Sequence, residues 1–328
     1  MITIKNIVSF YMRFILRRPR LASRVLFYVS DWPTFFYTAI NELYYQLHRK
    51  KSFQITCVTV ELSGRCNLDC QMCARHNVMT RSQGDMSMET LRTLVENNPG
   101  INHYILVGWG EMMLNPLFFE ATTYLRERNK RISLTSNATL FTAGNIEKIL
   151  QSGISHITIS MDGLDDVYQA NRGIPFTKVE RHLIALAKRI RETKSGIYLE
   201  INSIGHPEVL KQERAMWERL GPYVDDIRFS SHVEYNQMLK TNRSKPCREF
   251  WRGMISVLHD GRVVPCCMDY NASMVLGTVD EDSLLNLWNN TRCQQMRNEQ
   301  LHLDFKRRCA SCYESETPKD SSIDKRFD

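Results

Sequence analysis

From about residue 52 onward the chain alternates between two hydrophobic patterns. Short runs rich in Val, Ile, Leu and Thr predict strands at 54–62, 103–107, 131–136, 156–161, 196–201 and 226–229. Between them, apolar residues recurring every three or four positions predict helices at 87–96, 116–127, 142–151, 178–192 and 207–220. About six strands alternating with helices argue for a parallel sheet of βα units. After about residue 240 the alternation fades and clustered cysteines take over.

Residues 1–51 have a different texture. Helices are expected at 3–18, stopped by Pro19, at 21–29, and at 34–49, the last with Asp31 as a possible cap and Pro33 in its first turn. Phe36, Ile40, Leu43, Tyr44 and Leu47 fall on one face of that last helix. Nine basic side chains stand here against Asp31 and Glu42, a surplus equal to the whole net charge of +7. Eleven aromatic residues are interleaved with them. Such a segment suits a helix lying on an anionic membrane surface, but suits better a helical layer packed on the main domain with its Arg heads solvated; peptide recognition and dimerisation are further options. Residues 52–328 are electrically neutral, which disfavours nucleic acid as a partner.

Composition sets the compartment. With 43% hydrophobic and 24% charged residues over 328 positions, the chain can build a sizeable core. Its ten cysteines would suit disulfides only with a secretory leader. The apolar runs in residues 1–20 are broken by Arg13 and followed by Arg17, Arg18 and Arg20, which does not read as one. No uninterrupted apolar stretch is long enough to span a bilayer. A cytoplasmic setting is expected, peripheral on the inner face of the membrane if the basic segment binds lipid, and there grouped cysteines tend to hold metal.

The strongest group is Cys66-Asn67-Leu68-Asp69-Cys70-Gln71-Met72-Cys73, directly after the first predicted strand. Four thiolates would saturate an iron–sulfur cube, whereas three in one loop leave an iron open. The spacing differs from the paired CxxC of zinc ribbons. This loop resembles the CxxxCxxC signature of the radical S-adenosylmethionine (radical SAM) superfamily. The resemblance implies a partial (β/α)6 TIM-like barrel and a catalytic 4Fe–4S cluster on Cys66, Cys70 and Cys73. It also implies S-adenosylmethionine chelated to the open iron, reductive cleavage to a 5′-deoxyadenosyl radical, and hydrogen abstraction from substrate. Met72 departs from the family, which places an aromatic residue there; methionine is adaptable filler.

Further motifs follow in order. Gly108-Trp109-Gly110-Glu111 follows the second strand, where the family has a Gly-Gly-Glu-like turn for the cofactor's amino group. The resemblance assigns Gly110 and Glu111 to that role. It places Ser136 and Asn137 at the end of the third strand, and Ser160 and Arg172 near the cofactor's carboxylate. Together these matches cover roughly residues 54–230.

Cys247, Gly261 to Cys266, and Cys309-Ala310-Ser311-Cys312 resemble the SPASM/twitch extension of the same superfamily. Only four cysteines fit, implying one fully ligated auxiliary 4Fe–4S cluster on Cys247, Cys266, Cys309 and Cys312. Four cysteines with a CxxC would also suit a structural zinc. Of the rest, Cys57 and Cys293 read as buried filler. Cys267 could replace Cys266 as ligand or donate a hydrogen atom.

The organisation expected is therefore a helical extension at 1–51, a barrel at 52–240 and a small C-terminal iron–sulfur domain at 241–328. The function expected is an oxidoreductase acting on a sugar or aminocyclitol by dehydrogenation or epimerisation, fed by a flavodoxin- or ferredoxin-type donor. Maturation of a ribosomally made peptide and a non-catalytic metal scaffold are the alternatives. Catalytic residues toward the substrate are not identified: Glu61, His103, Glu200, Arg228, Ser230 and Glu234 are unranked candidates.

Overall fold

The computed structural model describes residues 32–230, 233–234 and 240–314. The helices expected at 3–18 and 21–29, and the Asp31 cap, lie outside the described residues.

Six strands run in sequence order as parallel neighbours: β1 Cys57–Val60, β2 His103–Leu106, β3 Arg131–Ser136, β4 Ile154–Ser160, β5 Tyr198–Ile204 and β6 Asp226–Ser230. Helices fill the crossovers, as parallel pairing requires. The strands alternate, save for an irregularity at the start of β4 that puts both Ile154 and Ile157 in the core. Val58, Val60, Tyr104, Leu106, Ile132, Leu134, Ile157, Ile159, Leu199, Ile201 and Ile227 are buried in the common apolar core with the helices. The opposite face is polar and internally bonded. Thr59 donates to Ser256 Oγ at 2.7 Å, His103 Nε2 lies 2.8 Å from Ser133 Oγ, and Thr158 donates to Glu200 at 2.9 Å. A parallel barrel thus carries its hydrophobic layer outside and a hydrogen-bonded lining inside.

Helix ends follow local chemistry. Ser87 and Thr142 cap the helices Met88–Glu96 and Ala143–Gln151 by accepting from the third backbone N–H beyond. The helix Asp165–Arg172 stops at Gly173, whose φ of +77° is the left-handed conformation glycine adopts freely.

The C-terminal part continues the barrel sheet. Strand β8 (Met254–Val257) pairs parallel with β1, and β9 (Arg262–Val264) and β10 (Gly277–Thr278) follow antiparallel. A separate short ribbon joins β7 (Val233–Glu234) to β11 (Tyr313–Glu314).

The helix expected at 34–49 is present as α1, Trp32–Gln46, but its orientation differs from the one its apolar periodicity suggests. Asn41, fully buried, clamps it to the barrel: its Oδ1 accepts from Ser52 Oγ, Phe53 N and Gln54 N, and its Nδ2 donates to Gln54 O at 2.7 Å. Gly253 makes room for that carboxamide, because a Cβ there would stand 2.5 Å from Asn41 Nδ2. Tyr45 packs edge-on against Trp251 and donates to Pro246 O. The inward face is thus polar and aromatic, and Phe36, Leu43 and Leu47 point outward. Four hydrogen bonds on one buried side chain make Asn41→Ala a loss of about 3 kcal/mol. Urea denaturation of the full chain measures it; a loss below about 1 kcal/mol would show that the clamp does not hold the helix.

Candidate active site

Cys66, Cys70 and Cys73 stand in the loop after β1. Together with Leu68, Met72, the 107–111 turn, Thr135, Ser136, Asn137, Ser160, Arg172 and Ile204 they line a cavity of about 270 Å³. Gly110, Glu111, Ser136, Asn137, Ser160 and Arg172, singled out from sequence, therefore share one cavity with the three thiols. It lies at the C-terminal ends of the strands, as in other parallel barrels.

The glycines explain themselves by close approach. A Cβ on Gly110 would lie 2.2 Å from Ser63 O and 2.4 Å from Arg65 O, and one on Gly108 would strike the Glu61 side chain. The 108–111 turn can therefore press against the cysteine loop, and Glu111 N donates to Arg65 O at 2.7 Å. Glu111 is buried, which raises its pKa, but its carboxylate is well served. Ser136 Oγ donates to Oε1 at 2.9 Å and Asn137 N to Oε2 at 2.8 Å. Both oxygens are engaged, one by Ser136 at the end of β3 and the other by the next backbone N–H.

Arg172 is similarly committed. Its Nε and Nη2 both meet Asp162 Oδ2 at 2.6 Å. Its Nη1 lies 3.7 Å from Cys70 Sγ, and Asn137 Nδ2 lies 3.8 Å from Cys66 Sγ. Burial opposes the guanidinium charge, but the Asp162 carboxylate and the Cys70 sulfur more than offset it and raise its pKa. The fork that the resemblance turns toward the cofactor's carboxylate is held by Asp162.

The donor set fits an iron–sulfur cluster. Burial pushes all three thiols above their ordinary pKa, so binding a cluster as thiolates would release their protons. Two N–H groups already point at their sulfurs, the bonds that tune such clusters.

Behind the cavity lies a network that no sequence motif announced. Glu61, at the end of β1, accepts from Arg81 Nη2 at 2.7 Å and from Trp109 N at 2.9 Å on Oε2. His259 Nδ1, from the β8–β9 turn, stands 3.2 Å from Oε1. All three side chains are buried. Burial works against the Glu61 charge, yet His259 and Arg81 bring its pKa below the usual carboxylate range. The cavity wall itself reaches the C-terminal domain through Trp109. Its indole Nε1 donates to Cys267 O at 3.0 Å, and its ring meets Tyr270 edge-on at 5.8 Å. Trp109 also supplies an aromatic wall in the cavity that Met72 does not.

Of the substrate candidates, Glu61 belongs to this network and does not line the cavity. His103 is buried against Ser133 on the lining face. Glu200 Oε1 receives Thr158, His156 and Arg228 together. Ser230 receives a bond from Asn202 at 3.4 Å. The Glu234 side chain lies outside the described residues.

The second cysteine group gathers from three segments. Cys247 opens a short 3-10 turn, Cys266 follows β9, and Cys309 and Cys312 flank one turn. Burial and then the neighbouring Cys247 and Cys312 push Cys309 up to about 12. Arg243 Nη2 lies 3.8 Å from Cys312 Sγ, and Met268 N donates to Cys266 Sγ at 3.4 Å. Cys293 is fully buried in a helix, Cys57 is partly buried on β1, and Cys267 is exposed and does not line the cavity.

The fold and the two cysteine groups agree with what comparison finds. The profile of the radical SAM superfamily matches residues 60–213, and that of the SPASM iron–sulfur cluster-binding domain matches residues 247–313, a span holding all four C-terminal cysteines. The chain belongs to the radical SAM superfamily, with a 4Fe–4S cluster and S-adenosylmethionine as cofactors and auxiliary iron–sulfur binding in its SPASM domain. It is 28% identical over 124 residues to the AdoMet-dependent heme synthase of Nitratidesulfovibrio vulgaris, covering 37% of this chain but only 34% of that protein. It is 22% identical over 246 residues to the S-adenosyl-L-methionine-dependent 2-deoxy-scyllo-inosamine dehydrogenase of Niallia circulans, 73% of this chain and 84% of that one. In fold it is similar to anSMEcpe with bound AdoMet and the Cp18Cys peptide, at a TM-score of 0.58 and 19% identity, over 78% of this chain and 88% of that one.

Three outcomes are expected. Cys70→Ser should abolish the change that S-adenosylmethionine causes in the electron paramagnetic resonance spectrum, while Cys309→Ser should keep that change and lose about half of the roughly eight irons. Loss of the change in both variants would mean that the two cysteine groups do not hold separate clusters. Glu61→Ala leaves Arg81 buried without its carboxylate and should cost about 4 kcal/mol in urea denaturation of the loaded protein.

Proposed function

We propose that this chain is an oxidoreductase that dehydrogenates or epimerises a sugar or aminocyclitol. In this reading Cys66, Cys70 and Cys73 hold the catalytic 4Fe–4S cluster, and Cys247, Cys266, Cys309 and Cys312 hold a single auxiliary one. Bound together, the catalytic cluster and S-adenosylmethionine supply reductive sulfonium cleavage and hydrogen-atom abstraction. The chain's own residues do the rest. The 108–110 carbonyls accept the cofactor's ammonium, and Glu111 holds Ser136 and Asn137 in the cavity wall. Ser160 would meet the cofactor's carboxylate, with the positive charge of Arg172, held by Asp162, beside it. Asn137 and Arg172 donate toward Cys66 and Cys70, which favours the reduced cluster. Electrons arrive from a flavodoxin- or ferredoxin-type donor in the cytoplasm. The parts are a 1–51 extension, a 52–240 barrel and a 241–328 cluster domain.

One observation carries the substrate class. Ser160, which lines the cavity, is the lateral partner of Asn202 on β5, and Asn202 is the lateral partner of Arg228 on β6. The three form a polar row leading away from the cavity. Arg228 is half-exposed and ion-paired with Glu200; its Nε is buried, so the exposed part of the fork is what a ligand can reach. A guanidinium already balanced by a carboxylate offers hydrogen bonds with little net charge. That suits hydroxyls and amines better than a phosphate or a carboxylate, which would bring a second negative charge beside Glu200.

The test is anaerobic incubation of the loaded protein with S-adenosylmethionine, a reductant and 2-deoxy-scyllo-inosamine or related cyclitols and sugars, read by mass spectrometry. The expected result is substrate-dependent 5′-deoxyadenosine carrying substrate deuterium, with a product lighter by two hydrogens or deuterated from solvent. Arg228→Leu should raise KM about tenfold or more, the loss of one charge-assisted bond, and leave substrate-free cofactor cleavage unchanged. Cleavage that responds to no cyclitol or sugar and rises only with a Cys- or Ser-containing peptide would move the function to peptide maturation.

A further inference from the structure

Helix α1 is built inside out for a helix on a globular surface. Such helices turn an apolar stripe to the core and a polar face to water. Here the core side carries Asn41, Tyr44 and Tyr45, and Glu42 is paired at the side with Arg248. The outward stripe carries Phe36, Leu43 and Leu47, exposed by 55, 53 and 55%, with Phe53, 40% exposed, beside it. Tyr37 and Tyr44 pack on Phe53 with ring centroids 5.9 and 6.2 Å away, so the patch is continuous.

Basic residues border this patch. His48, Arg49, Lys50 and Lys51 are all exposed at its C-terminal end. Their backbone is fixed: Trp251 Nε1 donates to Arg49 O at 2.7 Å, and Arg297 Nη1 to Lys50 O at 3.2 Å. In sequence, residues 1–31 add Lys5, Arg13, Arg17, Arg18, Arg20 and Arg24 against Asp31. All the positive surplus of the chain thus gathers at the end that carries its exposed apolar stripe, while residues 52–328 are neutral. No helix among the described residues is long and apolar enough to cross a membrane, so the helix would lie on a surface and not pass through it.

We propose that the outward face of α1 is a docking surface for an anionic lipid bilayer, with Phe36, Leu43, Leu47 and Phe53 entering the headgroup boundary and Arg49, Lys50 and Lys51 meeting lipid phosphates. Phosphates complement the basic rim, and the acyl boundary takes up the stripe, so one surface satisfies both halves of the patch. The polar clamp at Asn41 then fixes the orientation of the barrel on the membrane. This goes beyond the reaction proposed above and does not depend on it.

The test is flotation of the full-length, cluster-loaded protein at low salt with vesicles of phosphatidylcholine, with or without phosphatidylglycerol. Binding is expected only with phosphatidylglycerol. Each basic residue near such a surface strengthens partitioning about fivefold, so Arg49→Gln, Lys50→Gln and Lys51→Gln together should weaken it on the order of a hundredfold. The combined Phe36→Glu, Leu43→Glu and Leu47→Glu variant should lose binding while keeping the cluster absorption and thermal midpoint of the parent, since those side chains touch little. No binding of the parent at low salt overturns the proposal. So does undiminished binding of the stripe variant, which would mean adsorption by charge alone. A parent that is dimeric in sedimentation and becomes monomeric with the stripe changed would assign the face to a second copy instead.

Discussion

The buried carboxylate of Glu61 is the interaction on which the arrangement around the site depends. It receives a guanidinium from the segment after the cysteine loop, an imidazole from the C-terminal domain and a backbone N–H from the glycine turn. A charge so far from water is tolerated only when its partners are in place. The network therefore ties three segments together at one register. Gly108 and Gly110 let the turn come close enough for the Trp109 N–H to reach it, and Trp109 passes the constraint to the Cys267 carbonyl, one residue from Cys266. Cavity wall and second cysteine group are thus linked by a short chain of hydrogen bonds.

Much of this was readable in the chain. The six parallel strands fall where Val- and Ile-rich runs placed them, because an outward apolar face buried under helices leaves a plain signal. The three-cysteine loop, the 108–111 turn, Ser136, Asn137, Ser160 and Arg172 were found through a resemblance, and they do line one cavity. What was not readable depends on distant pairing. Arg81 sits in no motif, and nothing local says that its guanidinium lies 2.7 Å from Glu61. Arg172 looked like a free fork because Asp162, ten residues earlier, holds it only once β4 and the following helix are in place. On α1, periodicity identified a stripe but not which side of the helix is covered; the buried Asn41 decides that.

The polar lining of the barrel is the counterpart of its apolar exterior. Thr59 with Ser256, His103 with Ser133, and Glu200 with Thr158, His156 and Arg228 satisfy one another side by side across neighbouring strands. Buried polar groups that meet in this way make the interior specific, because a shift of register by one residue would strand every one of them. It also means that the barrel offers hydrogen bonds right up to the rim where Ser160 and Asn202 stand.

The pairing of β1 with β8 has a consequence for how the chain comes off the ribosome. Cys57 finds its partner Met254 about two hundred residues later. At ordinary elongation rates the open edge of the first strand waits roughly 10–40 s for it. During that time a short, Val-rich, unpaired edge is available to any neighbouring nascent chain. The C-terminal domain is therefore the piece that closes the barrel's first edge, and a truncated translation product would carry that edge exposed. Such fragments are the species a cell's chaperones would have to hold.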